Sequence, residues 1–259
     1  MLPPKDDEEK KVHPWRLCPV GSHWVREHSM RVLPSKTNPK GHVTTRHAHC
    51  ARNPSGKDIL FPDEINKISE QNFKNTEPKP CPITLNFGEN GSKYDDLIAG
   101  WTKYWNDVLS PDKPLDPNLV KALIASESRF HPKILADPKK PKSGRGLMQM
   151  IDASRKILGD EKGELKNHFV SASREKLNDP NTNICAGIRW LFYKKKFAFH
   201  RLKREASWEE AVYEFKGCRT VPKNRADELM DRFNEFGVSC RSPRKGILDS
   251  TYAILSNIT

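Results

Sequence analysis

The chain has no apolar run that approaches the ~18 to 20 residues needed to cross a bilayer as a helix. Its opening residues, Met-Leu-Pro-Pro-Lys-Asp-Asp-Glu-Glu-Lys-Lys, lack the apolar core of a secretory leader. The expectation is therefore no membrane span and no signal peptide. Acidic side chains are also short: 33 Asp and Glu face 45 Lys and Arg, a net charge of +12. Such a chain is drawn to anionic surfaces and polymers. Nucleic acid is one candidate, but Lys139-Lys140-Pro141-Lys142 and Lys194-Lys195-Lys196 lie in no recognised nucleic-acid module. Base-stacking aromatics are not regularly interleaved with them, so nucleic-acid binding is not expected. No internal repeat and no tight Cys-x-x-Cys pair is present.

The first 70 residues are poor in aliphatic side chains and punctuated by Pro and Gly, which predicts a small irregular N-terminal domain that needs a staple to fold. Six of the nine histidines (His13, His23, His28, His42, His47, His49) lie there with Cys18 and Cys50. Cys18, His23, His47, His49 and Cys50 are residue types that hold structural zinc tetrahedrally, though their spacing is no standard finger. A Cys18–Cys50 disulfide and a set of surface histidines are the alternatives. Residues 71–92, rich in Asn, Pro, Lys and Gly, read as a linker. A helical domain is expected over 93–240, and a tail over 241–259. Cys185 falls on a predicted helix as a small buried thiol. Cys218 and Cys240 flank the last predicted helix and are a candidate pair.

Within 93–240 the apolar positions recur at helical spacing. Tyr94 to Leu109 carries Leu97, Ile98, Trp101, Tyr104, Trp105 and Val108 on one face. Asp116-Pro117 and Asp179-Pro180 each supply an N-cap acceptor followed by Pro at the first helical position. Ser207 with Glu210 makes a capping box, and Ala226 to Phe236 forms a last helix. In the helix that starts at Asp116, Val120, Leu123 and Ile124 form an apolar stripe whose next position is Glu127. A carboxyl on an apolar face holds its proton more readily than one in water, and a protonated carboxyl can serve as a general acid. The ordinary alternative is a Glu at the edge of the face, salt-bridged to Lys or Arg. Downstream, Gly144-Arg145-Gly146-Leu147-Met148-Gln149-Met150 is a glycine turn. It offers an adaptable apolar side chain in Met148 and an amide in Gln149. A short strand or hairpin is expected nearby.

Taken in order, ALIASESRF, GRGLMQM and DPNTNICAGIRWL make the chain from about Asp116 to about Phe236 resemble the catalytic domain of soluble lytic transglycosylases. That family has a goose-type lysozyme-like fold. The resemblance implies a mainly α fold (α+β, lysozyme-like) with at most a small β element. It also implies cleavage of the N-acetylmuramic acid to N-acetylglucosamine bond in the glycan strands of peptidoglycan. Glu127 would be the single catalytic acid and base, and Ser128, Met148, Gln149 and Asn183 would line the sugar sites. No cofactor is implied for catalysis.

The family's last motif, a helix ending in Tyr-Asn-Ala-Gly or Tyr-Lys-Gly, departs here to Tyr213-Glu214-Phe215-Lys216-Gly217. Alignment on Gly217 puts the family's tyrosine on Phe215; alignment on the phenol puts it on Tyr213 with one residue too many. Two-carboxylate hydrolysis is the nearer alternative chemistry, and Asp137 and Asp152 are the nearby acids. Asp137 reads as a turn residue and Asp152 as an N-cap. A hydrolytic muramidase, a phage endolysin and a non-catalytic wall-binding module are the alternative functions. Action on the wall without a leader sets the expectation of work in the periplasm or at the cell wall. Delivery would be through a secretion apparatus, with an immunity protein and an apparatus component as partners, or at lysis.

Overall fold

The computed structural model describes residues 15–241, so His13 and the expected tail beyond Arg241 lie outside the described residues. Four strands come first: β1 (Ser22–Val25), β2 (His28–Val32), β3 (His42–Arg46) and β4 (His49–Arg52). They form one long antiparallel arm, with β1 paired to β4 and β2 to β3. The outer pair is almost wholly exposed. A two-stranded ribbon has too little core to hold itself. Cys18 is bonded to Cys50 at the base of the arm, with a Cα–Cα separation of 5.6 Å.

The next residues do not form the separate domain expected of 1–70. The short strand β5 (Ile59–Leu60) leads into α1 (Pro62–Asn72), whose Ile65 and Ile68 are fully buried in the common core. Arg16 is drawn in with them. Its guanidinium holds Glu64 at 2.8 Å and also contacts Asp58, all three side chains being nearly free of solvent. Burial pushes the Glu64 carboxyl up, and Arg16 opposes it. The expected linker over 71–92 is also part of the body. Phe73 and Leu85 are buried, and Cys81 is bonded to Cys240. That bond replaces the Cys218–Cys240 pair; Cys218 is free and buried, as is Cys185.

The helical body follows the predicted elements. α2 (Asp95–Leu109) buries Trp101, Tyr104 and Trp105. α3 (Pro117–Ser128) starts where the Asp116 carboxylate accepts from Asn118 N–H. α4 (Asp152–Gly159) takes Asp152 into its first turn, not its cap. There Arg155 holds the carboxyl below its ordinary range, with Arg174 adding to the effect. Near the glycine turn only isolated bridges form, Arg145 facing both Leu135 and Met150, so the expected hairpin is reduced to these. β6 (Phe169–Val170) pairs in parallel with β5. α5 (Pro180–Leu202) is the central helix, packed by α1, α2, α4 and α6. α6 (Trp208–Phe215) starts at the Ser207–Glu210 capping box, and α7 (Lys223–Arg241) packs on α3. Seven helices and three two-stranded sheets among the described residues make the mainly helical fold that the sequence implies. No helix among them is long and apolar enough to cross a membrane.

One half-buried histidine, its side chain 21% exposed, ties the two halves together. His168 Nδ1 meets Asp58 at 2.9 Å, just before β6 pairs with β5. Asp58 alone would favour a charged ring, but Arg16 already neutralises it. Burial, with Arg189 and Arg16 nearby, pushes the imidazole down to about 4. The unfolded chain therefore binds the extra proton between pH 6.5 and about 4, so stability is whole above that window and falls as pH drops through it. Urea unfolding at pH 7 and pH 5 should differ by about 2 kcal/mol through this residue. His168→Gln should remove that part of the difference; an unchanged pH slope would show that the ring is not buried neutral.

Candidate active site

Glu127 lies in the last turn of α3. Every residue from Val120 to Ser126 is buried, and the helix stops because Arg129 and Phe130 both turn left-handed, at φ 51° and 61°. Glu127 is thus the polar exit of an otherwise buried helix, its side chain 17% exposed. It is not alone there. The Lys216 ammonium, 2% exposed, bonds to the Glu127 carboxyl and donates to Ser126 Oγ at 3.0 Å. The salt-bridged alternative for this glutamate is therefore realised, and by a buried partner. Lys216 caps the C-terminus of α6, and Gly217 at φ 66° turns the chain away behind it. Sequence reasoning passed over Lys216, although Phe215-Lys216-Gly217 closes the last motif.

The glycine turn is fastened to α5 by Asn183. Its Oδ1 accepts from Met148 N–H at 2.7 Å, and its amide donates to the carbonyls of Leu177 at 2.7 Å and Arg145 at 3.1 Å. Gly146 sits at φ 72°, where a Cβ would run into that amide. Asn183 is fully buried and its bonds are all internal. In this arrangement it braces the turn. Met148 is likewise buried, seated against Gly187, where any side chain would displace its sulfur. Ser128 is buried, and its hydroxyl donates back to Ile124 C=O at 3.1 Å. Of these expected lining residues only Gln149 is partly open. Its backbone is left-handed at φ 46°, and its amide donates to Gly146 C=O at 2.8 Å. Phe215 is half-buried against the core beside Lys216, and Tyr213 is half-buried two residues earlier.

Other acids are occupied elsewhere. Asp137 accepts from Lys139 N–H at 2.9 Å, as a turn residue does. Asp152 is held by Arg155 at 2.8 Å and Arg174 at 3.4 Å. Glu214, buried on α6, is paired with Arg201 at 2.9 Å. The N-terminal zinc set is dispersed: both sulfurs are joined to each other. His23 meets Asn53 at 2.6 Å, His47 meets Glu27 at 2.9 Å, and His49 meets His47 C=O at 2.8 Å. Among the described residues no group of three or more His, Cys, Asp or Glu is placed to hold a metal.

Residues 109–211 match the family model described as transglycosylase SLT domain. No curated protein matches the chain. Among solved structures, the 70 kDa soluble lytic transglycosylase of Escherichia coli is similar at 17% identity and a TM-score of 0.35. The similarity covers 70% of this chain and 30% of that one. The matched segment contains Glu127, the glycine turn and Asn183, and ends before Lys216.

Asn183→Ala would leave the buried Met148 N–H and the Leu177 carbonyl without partners, while the Arg145 carbonyl keeps its bond from Met150 N–H. It should destabilise the fold by about 3 kcal/mol in urea unfolding. A cost below about 0.5 kcal/mol would mean that the amide is not the brace.

Proposed function

We propose that the chain cuts the glycan strands of peptidoglycan as a lytic transglycosylase, with Glu127 as its single acid and base. The observation that carries this reading is the partly exposed Glu127 carboxyl at the end of a buried helix, inside the matched domain and against the Lys216 ammonium. In the first step Glu127 gives its proton to the glycosidic oxygen and the bond from the muramyl C1 to that oxygen breaks. In the second the muramyl 6-hydroxyl attacks C1, and the Glu127 carboxylate takes its proton. The product is a 1,6-anhydro ring, and Glu127 ends protonated as it began. Between the steps the enzyme carries a carboxylate, and Lys216 Nζ is a fixed cation placed to match that charge. With Phe215 in the aligned tyrosine position, the polar group beside Glu127 is an ammonium rather than a phenol.

The basic charge favours approach to an anionic wall. We assign action to the periplasm or cell wall, and the arm over residues 22–52, whose outer strands β2 and β3 are almost wholly exposed, to attachment or to delivery by a secretion apparatus. An immunity protein would accompany that route.

Purified peptidoglycan should be digested by the native chain and not by Glu127→Gln, with muropeptides lighter by one water than their hydrolytic counterparts in mass spectrometry. Reducing ends would replace this mechanism with hydrolysis, and release by the Gln variant would remove Glu127 from the chemistry. Lys216→Met should lower kcat/KM by about tenfold, ~1.4 kcal/mol of transition-state stabilisation, whereas Lys216→Arg should keep most of the rate. Equal rates for the Met variant and the native chain would limit Lys216 to packing.

A further inference from the structure

The helix that braces the glycine turn also floors a cavity. It holds about 530 Å³, within the range of ligand sites. Leu165, Phe192 and Phe197 supply apolar walls, while Lys166, Lys196 and Arg189 supply charge. Arg189 is the unusual member. It is 5% exposed, and its bonds run to backbone carbonyls, His168 at 2.9 Å and Asn167 at 3.1 Å. Its guanidinium lies over the Trp105 ring at 5.8 Å. Among the described residues no carboxylate pairs with it, and burial pulls it down to about 10. Glu164, the acid on the rim, is engaged by the Tyr193 hydroxyl. Three cations thus face one occupied carboxylate around apolar walls.

We propose that this cavity binds the carboxylate end of a short peptide carried by the glycan strand. An anion there would match the desolvated Arg189 charge, which no acid among the described residues does. A peptide end couples a carboxylate to apolar side chains, as the walls require; a phosphodiester chain is polar throughout and would leave Phe192 and Phe197 against polar groups. Arg189 follows Asn183 by six residues on α5, about 9 Å along its axis. An extended peptide of about four residues spans up to ~14 Å. A peptide on a bound strand would have to cover that rise and also the turn of about 120° between the two faces of the helix. This inference rests on the glycan-strand reading above.

The test compares binding of soluble glycan strands with and without their peptides to the Glu127→Gln chain, which cannot consume them. Peptide-bearing strands should bind about tenfold tighter. Lys196→Glu, on the exposed rim, and Arg189→Gln should each abolish that difference and leave binding of stripped strands unchanged. Arg189→Gln also loosens the loop at 167–168, so Lys196→Glu decides if the former does not fold. Equal affinity for the two strands, or a preference that survives Lys196→Glu, overturns the proposal. So does tighter binding of poly(glycerol phosphate) that Lys196→Glu removes, which would give the cavity to a polymer phosphate. Should neither strand bind, the glycan reading itself fails. A free tetrapeptide with an unblocked C-terminus then tests the cavity alone, with binding lost in Lys196→Glu upholding it and no binding overturning it.

Discussion

A helix buried on nearly every side has nowhere to put a polar side chain except into a bond. α5 is such a helix, and the rest of the structure is organised by how it meets that demand. Asn181 accepts from the Trp101 indole and donates to Asn66 and Ser69, which joins α2 and α1 to the centre. Asn183 takes the glycine turn. Arg189 takes the carbonyls of the loop before β6. Three polar residues in the first half of α5 thus fix four separate pieces of chain: α1, α2, the glycine turn and the loop before β6. Apolar side chains at those positions would bury as much area and fasten none of them.

The same logic separates the candidate acid from its supports. Glu127 escapes burial only because α3 ends within two residues of it. Ser126 and Ser128, on either side, are both buried, their hydroxyls donating to carbonyls within the helix. Lys216 approaches from the far end of α6, a piece of chain 89 residues away in sequence. A buried ammonium needs a partner, and Glu127 and Ser126 are the ones it has. The pair therefore holds the end of α6 against the end of α3 as well as setting the charge beside the carboxyl.

Elements were legible in the sequence wherever the signal was local. The Asp-Pro starts of α3 and α5, the capping box of α6 and the aromatic face of α2 depend on neighbours a few residues apart, and each is found where expected. Glu127 was legible as a break in an apolar stripe. What could not be read was pairing over distance. Cys240 found Cys81 rather than Cys218, and the short strand at Ile59 found Phe169, each partner being more than 100 residues away. For the same reason the brace at Asn183 was not legible: a polar position at the start of a helix gives no sign that a glycine turn 35 residues earlier will bond to it.

The N-terminal region was misjudged for a different physical reason. Scarcity of aliphatic residues argued that residues 1–70 fold around a staple of their own, and the arm does have one in Cys18–Cys50. Composition averages over the segment, however, and hides Ile59, Leu60, Ile65 and Ile68, which are enough to dock one strand and one helix onto a core built by others. Docking them drags Asp58 and Glu64 out of water. Two buried carboxylates would repel each other and the interior unless a cation came with them, and Arg16 supplies it from the residues just before the arm. The arm is consequently anchored at both of its ends, by Arg16 and Cys18 where it leaves the body and by Asn53 and Asp58 where it returns. Its orientation on the helical body is thereby fixed by buried charge rather than by hydrophobic area, so weakening of those ion pairs should loosen the arm before the helices.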